Sequence, residues 1–493
     1  MLHRWIALVA LIALTATSLS ARQDAIDRPM IERLRQEGLE RSKVMEFYNR
    51  FVTVDGPRLT GSPAHKTAAE WARQRFAAMG LQGAQLEPFE FGRGWELTRL
   101  TAEMVGPRYM PLVGYAEGWS APTAGVIEAS PVFIGDQTAD QVEALKSTLK
   151  GAIVLTQPIQ TGFVRADRAQ PATSDGPVRI GAPPMPATGR PQADQRRITE
   201  ILRSAGAGAL LRANAGEHGT MFVLGRDAGT AAQPSIILAA EHYNMIARML
   251  AAGLPVKLRI EIGARYLDAD RNTYNVLAEI PGTDPKIKDE IVLVGGHLDS
   301  WHSSPGATDN ADGAATVLEA ARILSAVGAR PRRTIRFALW SGEEQGLLGS
   351  KAYAARHLEG PANAAAREKF NVYFNIDPGT GPVYGWYLQG QSELAALFDA
   401  WLSPFKDIGA RRNVADPIGN TDHLSFTALG LPGFNPIQDY VNYDVRTHHT
   451  NMDTFERVGE KDMAQSAVVF AAFAWHAAMR DEMIPRPRPT ATR

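Results

Sequence analysis

The chain has 493 residues, enough for two or more domains with a core in each, and its 52 basic residues nearly balance its 53 acidic ones. The sequence shows no basic stripe that would point to a nucleic acid, so the composition favours a small molecule or a peptide as the partner. The chain has no cysteine, which excludes disulfides and a lipid-modified cysteine at a signal cleavage site.

The N-terminus has the pattern of a secretory signal. Arg4 precedes an apolar stretch over residues 5–16, and small residues follow up to Ala21. Because the stretch is too short to cross a bilayer, we predict that residues 1–21 are a signal peptide cleaved near Ser20 or Ala21, with an uncleaved anchor as the alternative. The protein is therefore expected to be periplasmic or secreted, with no membrane segment after cleavage.

Two helices are predicted in residues 25–95, which we interpret as the N-terminal part of the catalytic domain. The first covers residues 30–51, where apolar residues recur at helical spacing. The second begins with Ser62 as its cap and Pro63 in its first turn, and it ends at Gly80. Both helices are expected to cover the main sheet.

The sequence changes character over residues 96–266. Short apolar runs such as 151–155 and 235–238 alternate with loops, and residues 170–191 contain too many prolines and glycines for regular structure. We interpret this region as an inserted, smaller, β-rich domain whose long loop leans over the active site; an irregular extension of one domain is the alternative. Because the region contains no candidate metal ligand, we expect it to shape substrate access rather than the chemistry.

Strands and helices alternate through residues 267–482, the predicted catalytic domain. The predicted strands cover residues 275–280, 291–294, 334–340 and 372–376, and the predicted helices cover residues 311–327, 347–357 and 463–479. This alternation predicts an α/β fold in which helices cover both faces of a mostly parallel, mixed sheet. Residues 483–493, with three prolines, are predicted to be a loose tail.

Side chains suited to metal ions lie just after predicted strands, at the start of a predicted helix or, for His449, in the stretch over residues 447–454. They are His297, Asp299, Asp309, Glu343, Glu344, Asp377 and His449. Imidazole nitrogen and carboxylate oxygen suit zinc and similar divalent ions, and open α/β sheets place their active sites at the carboxyl ends of strands. We therefore predict a metallohydrolase; surface loops rich in Asp and Glu are the alternative.

The order of these residues resembles that of the secreted co-catalytic zinc exopeptidases, the family of bacterial leucyl aminopeptidase and glutamate carboxypeptidase, especially its plasma glutamate carboxypeptidase type. The motifs that carry the resemblance are GGHLDSW, ATDNADG, SGEEQG, NIDPG and HTNMDT, and residues 56–80 add to it. The resemblance implies the zinc exopeptidase fold. More weakly, it implies that residues 96–266 form a protease-associated domain.

The resemblance also implies two Zn²⁺ ions per chain. One ion would be bound by His297, Asp309 and Asp377. The other would be bound by Asp309, Glu344 and His449, so that Asp309 bridges the pair. The neighbouring His448 is set aside because the residue directly before the Thr of the HTNMDT motif fits the ligand position.

The remaining roles concern proton transfer, orientation and the substrate. Glu343 would be the general base, and Asp299 would orient His297. The resemblance further implies a cis peptide bond after Asp309. It also suggests a substrate-binding role for His423, for which a structural role is the alternative.

The predicted function is hydrolysis of terminal peptide bonds in short peptides or dipeptides by an aminopeptidase, a dipeptidase or a carboxypeptidase. Two alternatives stay open: a glutaminyl cyclase-like aminoacyltransferase, and a non-catalytic binding protein on the same fold. A non-catalytic protein would be expected to have lost ligands, and all the candidates are present here. The motifs do not distinguish between trimming at the amino end and at the carboxyl end, and a homodimer is compatible with the sequence.

Overall fold

The computed structural model describes residues 26–168, 190–377 and 379–487. The predicted signal peptide lies outside the described residues. So do residues 170–189 of the predicted loop and residues 488–493 of the predicted tail. No described helix is long and apolar enough to span a membrane.

The regular elements of the described residues are numbered in chain order. The helices are α1 (Arg28–Glu40), α2 (Val44–Asn49), α3 (Pro63–Ala78), α4 (Ala139–Ala144), α5 (Gln192–Ala205), α6 (Ala240–Ala251), α7 (Asp312–Ala326), α8 (Leu348–His357), α9 (Ala364–Lys369), α10 (Ala395–Leu402), α11 (Leu424–Thr427) and α12 (Glu460–Met479). The strands are β1 (Gln82–Glu90), β2 (Gly94–Gly106), β3 (Met110–Pro111), β4 (Gly114–Ala116), β5 (Ile127–Ala129), β6 (Val132–Phe133), β7 (Ile153–Leu155), β8 (Ala209–Ala213), β9 (Ser235–Leu238), β10 (Lys257–Leu267), β11 (Asn272–Ile280), β12 (Ile291–His297), β13 (Thr334–Trp340), β14 (Phe370–Asn375), β15 (Thr380–Tyr387) and β16 (Gly433–Asp439).

The main sheet has seven strands in the order β1-β11-β13-β12-β14-β16-β15. Its centre is parallel, from β13 through β12 and β14 to β16. The strands β11 and β15 run antiparallel to their neighbours in this central block. The predicted α/β fold with a mostly parallel, mixed sheet is confirmed.

Helices cover both faces of this sheet, as the alternation along β12 shows. Val292 and Val294 pack into the large core that α7 and α12 contribute to. Leu293 points to the other face, where it joins a smaller core with Tyr353 of α8 and Phe426 of α11. A strand covered on both faces must be apolar throughout, which explains its continuous apolar run.

The predicted helix over residues 30–51 is wrong at its centre, because α1 ends at Glu40 and α2 begins only at Val44. A contact with another part of the chain stabilises this break between the helices. The backbone N–H of Lys43 donates to the carboxylate of Glu319 in α7 at 3.0 Å. Within the segment, Ser42 Oγ accepts from the N–H of Val44. A tertiary contact therefore interrupts a pattern that is locally helical.

Residues 94–267, called the insert region below, form two smaller sheets. One has the order β3-β2-β10-β5, and the other has the order β4-β9-β8-β7-β6 with β6 to β9 parallel. The helices α4, α5 and α6 also belong to this region, so it is mixed in structure. Its identity as a separate protease-associated domain stays a prediction.

Candidate metal centre

The candidate ligands meet at the carboxyl edge of the parallel strands. His297 is the last residue of β12, and Glu343 and Asp377 follow the adjacent strands β13 and β14. Asp309 lies at a kink with non-helical backbone angles in the turn (residues 307–311) directly before α7, and His449 lies in the loop before α12. Parallel neighbours end at the same edge of a sheet, so residues far apart in sequence come together here.

Asp309 lies between the two histidines. Its Oδ1 is 3.2 Å from His297 Nε2, and its Oδ2 is 3.3 Å from His449 Nε2. Asp377 Oδ2 is 3.7 Å from His297 Nε2, and Glu344 Oε2 is 2.9 Å from His449 Nε2. The cluster therefore has a His297 half (with Asp377) and a His449 half (with Glu344), which share one carboxylate. The peptide bond after Asp309 is cis, as the family resemblance implied.

These side chains fit a pair of divalent cations. Two ligands of a tetrahedral zinc at about 2.0–2.1 Å are about 3.3–3.4 Å apart, close to the separations between Asp309 and the two histidines. Within the described residues, His297 Nε2, Asp309 Oδ2 and both carboxylate oxygens of Glu344 are buried, and the close histidine–carboxylate contacts among them are not aligned as hydrogen bonds. Buried polar atoms are costly unless something satisfies them, and this donor set is one that zinc accepts.

Burial and charge perturb the ionisable groups of the cluster. Burial, together with the charge of Asp309, raises the pKa of Glu344 to about 7. Burial also raises the pKa of Glu343 well above its usual range; His297 opposes this shift, and Asp377 adds to it. Burial alone would lower the pKa of His449, but Glu344 and Asp309 raise it to about 9. Bound cations would compete with protons for these groups.

Asp299 joins three segments of the site. Thr60 Oγ1 donates to its Oδ2 at 2.8 Å, and the backbone N–H groups of Glu343 and Glu344 reach its two carboxylate oxygens at 3.3 Å. His297 Nδ1 is 3.0 Å from the backbone carbonyl oxygen of Asp299 but 3.7 Å from its carboxylate. The carbonyl is thus placed to fix the imidazole, while the carboxylate holds the turn that carries the two glutamates.

Arg58 supports the loops on which His297 and Asp309 lie. Its side chain is fully buried, and burial lowers its pKa to about 10. It donates at 2.7–3.1 Å to the backbone carbonyls of Phe51, Gly56, Leu298, Pro305 and Gly306. Neither Arg58 nor Thr60 was predicted from the sequence, although both lie in the GPRLTG stretch that carries part of the resemblance.

Two further histidines have defined surroundings. His448 stacks between the rings of Tyr443 and His449, with centroid distances of 5.1 and 3.8 Å. One of its nitrogens lies within 4.8 Å of ligand atoms of Asp309 and His449, so the structure brings it to the edge of the cluster. His423 is fully buried with Nε2 3.1 Å from the carbonyl of Ile418, and burial lowers its pKa to about 4. Its role in substrate binding stays a prediction.

A cavity of about 530 Å³ opens onto the cluster. Apolar side chains of Leu347, Ile418 and Leu424 form part of its wall, and the cations Arg168 and Lys351 also line it. Arg168 comes from the insert region, and Lys351 lies on α8. Neither cation was predicted from the sequence, because neither lies in one of the metal-ligand motifs.

The comparison with known families agrees with this geometry. Residues 275–474 match the family model described as peptidase family M28, a range that includes all the candidate ligands. These residues belong to peptidase family M28. The protein is therefore a peptidase, a hydrolase of the metallo-exopeptidase type.

Relatives extend the similarity beyond the family region. The sequence is 26% identical to carboxypeptidase Q of Bos taurus over 452 residues, which cover 91% of this peptidase and 88% of the relative. The crystal structure of a peptidase M28 precursor from Shewanella amazonensis has 27% identity and a TM-score of 0.68, covering 94% of this chain and 99% of that one. A zinc aminopeptidase from Bacillus subtilis shares the fold, with 20% identity, a TM-score of 0.59 and coverage of 90% and 96%.

Proposed function

We propose that this peptidase is a di-zinc exopeptidase that hydrolyses terminal peptide bonds of short peptides or dipeptides. The observation that carries the proposal is the position of Asp309, whose two oxygens lie 3.2 and 3.3 Å from the Nε2 atoms of His297 and His449. We assign one zinc to His297, Asp309 and Asp377, and the other to Asp309, Glu344 and His449. The name of the Bacillus subtilis fold neighbour, a zinc aminopeptidase, is in keeping with this choice of metal.

The protein's own groups position the reactants and move the proton. When bound, the zinc ions would polarise the scissile carbonyl and lower the pKa of a water molecule. Glu343 lines the cavity, and its Oε2 is 4.0 Å from His297 Nε2, so its carboxylate can take a proton from the attacking water. The same carboxyl group then donates that proton to the leaving amine. Asp299 keeps Glu343 in place through the backbone N–H.

The charged groups of the cavity bear on which end of the substrate is bound. Apart from the assigned ligands and Glu343, the charged residues among its described lining are Arg168, Lys351 and, in its protonated form, His448. Asp444 neutralises Arg168 in a buried ion pair, whereas Lys351 Nζ donates to the neutral carbonyl oxygen of Gly346 at 2.8 Å. A lysine whose hydrogen bond goes to a neutral carbonyl keeps its charge available for a carboxylate, so we propose that Lys351 binds the free carboxyl end of a short substrate.

Three measurements test this function. Exhaustive chelation should abolish hydrolysis of a peptide mixture, and two equivalents of zinc per chain should restore it; full activity of the metal-free protein would exclude the metal mechanism. Mass spectrometry of the products should show single terminal residues or split dipeptides. Amidation of the substrate's carboxyl end should lower kcat/KM in the wild type but much less in Lys351→Met. Appearance of a cyclised amino terminus without peptide cleavage would instead favour the aminoacyltransferase alternative.

A further inference from the structure

The loop that carries His449, residues 440–451, packs against the insert region as well as the catalytic core. The backbone N–H of Val223 donates to the carbonyl oxygen of His449 at 3.0 Å, and the N–H of Asn451 donates to the carbonyl oxygen of Met221 at 3.1 Å. The side chain of Asn451 adds two more bonds, accepting from Met221 N–H at 2.7 Å and donating to the Gly219 carbonyl at 3.2 Å. Residues 219–223 thus pair with the loop in the manner of an adjacent strand.

A second contact holds the start of the same loop. The carboxylate of Asp167 accepts from the backbone N–H groups of Asn442 at 2.8 Å and Val445 at 3.0 Å. Arg168 forms a bidentate pair with Asp444 at 2.7–3.2 Å, and both side chains are buried. Both partners on the insert side lie far from the catalytic motifs in sequence, so this contact is a tertiary one.

The conformation of the ligand explains why such support is needed. His449 has a φ of +62°, in the left-handed region that residues with a side chain rarely adopt. Such a backbone persists only where surrounding contacts determine it. The N–H of Val223 donates directly to the carbonyl oxygen of His449. The insert region therefore fixes the backbone from which the imidazole projects toward Glu344 and Asp309.

We propose that residues 219–223, together with Asp167 and Arg168, are positioning residues for His449, so that the insert region sets the zinc affinity of the His449 half of the centre. The His297 half takes its ligands from strand ends of the main sheet and has no bond to these residues among those described. This inference rests on the proposed two-zinc function. The sequence led us to expect that the insert region shapes substrate access only; the inference adds a role in zinc binding.

The test removes one hydrogen-bond donor. Val223→Pro deletes the N–H that bonds to His449 and keeps a side chain of similar size, whereas the control Val223→Ala keeps the N–H and truncates the same buried side chain further. Zinc content is measured by elemental analysis after equilibration against a series of zinc buffers. Val223→Pro should bind one zinc as the wild type does and the other about 10- to 100-fold more weakly, the usual effect of losing a group that supports a ligand. Val223→Ala should retain both affinities.

The outcomes separate the inference from the function on which it rests. A folded Val223→Pro protein with two unaltered zinc affinities would overturn the inference alone. A wild type that binds fewer than two zinc ions at saturation would overturn the proposed function and the inference with it. If circular dichroism shows that Val223→Pro does not fold, Asp167→Ala takes its place. Asp167→Ala should lower the affinity for the same single zinc ion. Asp167→Asn keeps one acceptor oxygen, so its affinity should lie between those of Asp167→Ala and the wild type. Equal zinc affinities in all three proteins would contradict the inference.

Discussion

Replacing Glu343 by glutamine should separate catalysis from metal binding. The side chain lines the cavity, whereas the turn is held through its backbone N–H, which bonds to Asp299 whatever the side chain. Glutamine keeps the shape and removes the base, so kcat should fall about a hundredfold to ten-thousandfold, equivalent to about 3–5 kcal/mol of activation free energy. Because burial, helped by repulsion from Asp377 and Glu344, raises the pKa of Glu343 despite the attraction of His297, a neutral side chain is favoured there and the metal-free variant should be at least as stable as the wild type.

The comparison variant is Glu344→Ala, which removes an oxygen 2.9 Å from His449 Nε2. Steady-state kinetics, zinc analysis and thermal unfolding are measured on both proteins. Glu343→Gln should keep two zinc ions and lose turnover, while Glu344→Ala should lose affinity for one zinc. The reverse pattern would exchange the roles of the two glutamates. Unchanged turnover in both variants would refute the proposed site.

The remaining predictions concern stability. Arg58→Met leaves five backbone carbonyls without their donor and should lower the free energy of unfolding in urea by about 3–5 kcal/mol; a loss below about 1 kcal/mol would contradict the supporting role of Arg58. Burial lowers the pKa of His476, which stacks on Trp401, from 6.5 to about 4. As the pH drops from 6.5 to 4, His476 therefore binds a proton in the unfolded chain but not in the folded one. This group lowers the free energy of unfolding by about 3 kcal/mol over that range. Between pH 8 and pH 4, the free energy of unfolding of His476→Leu should therefore fall by about 3 kcal/mol less than that of the wild type. Parallel pH profiles of the two proteins would refute the lowered pKa of His476.

Some elements could be predicted because their signals are local. The strand β13 occupies the predicted residues 334–340, since an apolar run bounded by turns leaves little choice. The helix α3 begins where Ser62 and Pro63 predicted it, and Ser62 Oγ accepts from the N–H of His65. The motifs of His297, Glu343 and Asp377 could be predicted for a related reason, because each follows a strand and parallel strands bring their ends to one edge.

Other features depend on contacts that no short stretch encodes. The strands β15 and β16 escaped prediction because Pro382 and Pro436 lie within them and argue against regular pairing. Neither Arg58 nor the pairing of Val223 with His449 has a sequence pattern, since their partners lie far away along the chain. The sequence thus indicates which groups act at the site, whereas the structure shows what holds them in place.

Anomalous diffraction at the zinc absorption edge from zinc-loaded crystals tests the central claim most directly. The account predicts two peaks about 3.5–4 Å apart, as in other two-metal sites, with Asp309 between them. One peak should lie beside His297 and Asp377, and the other beside His449 and Glu344. A single peak, or two peaks that do not share Asp309, would contradict the account.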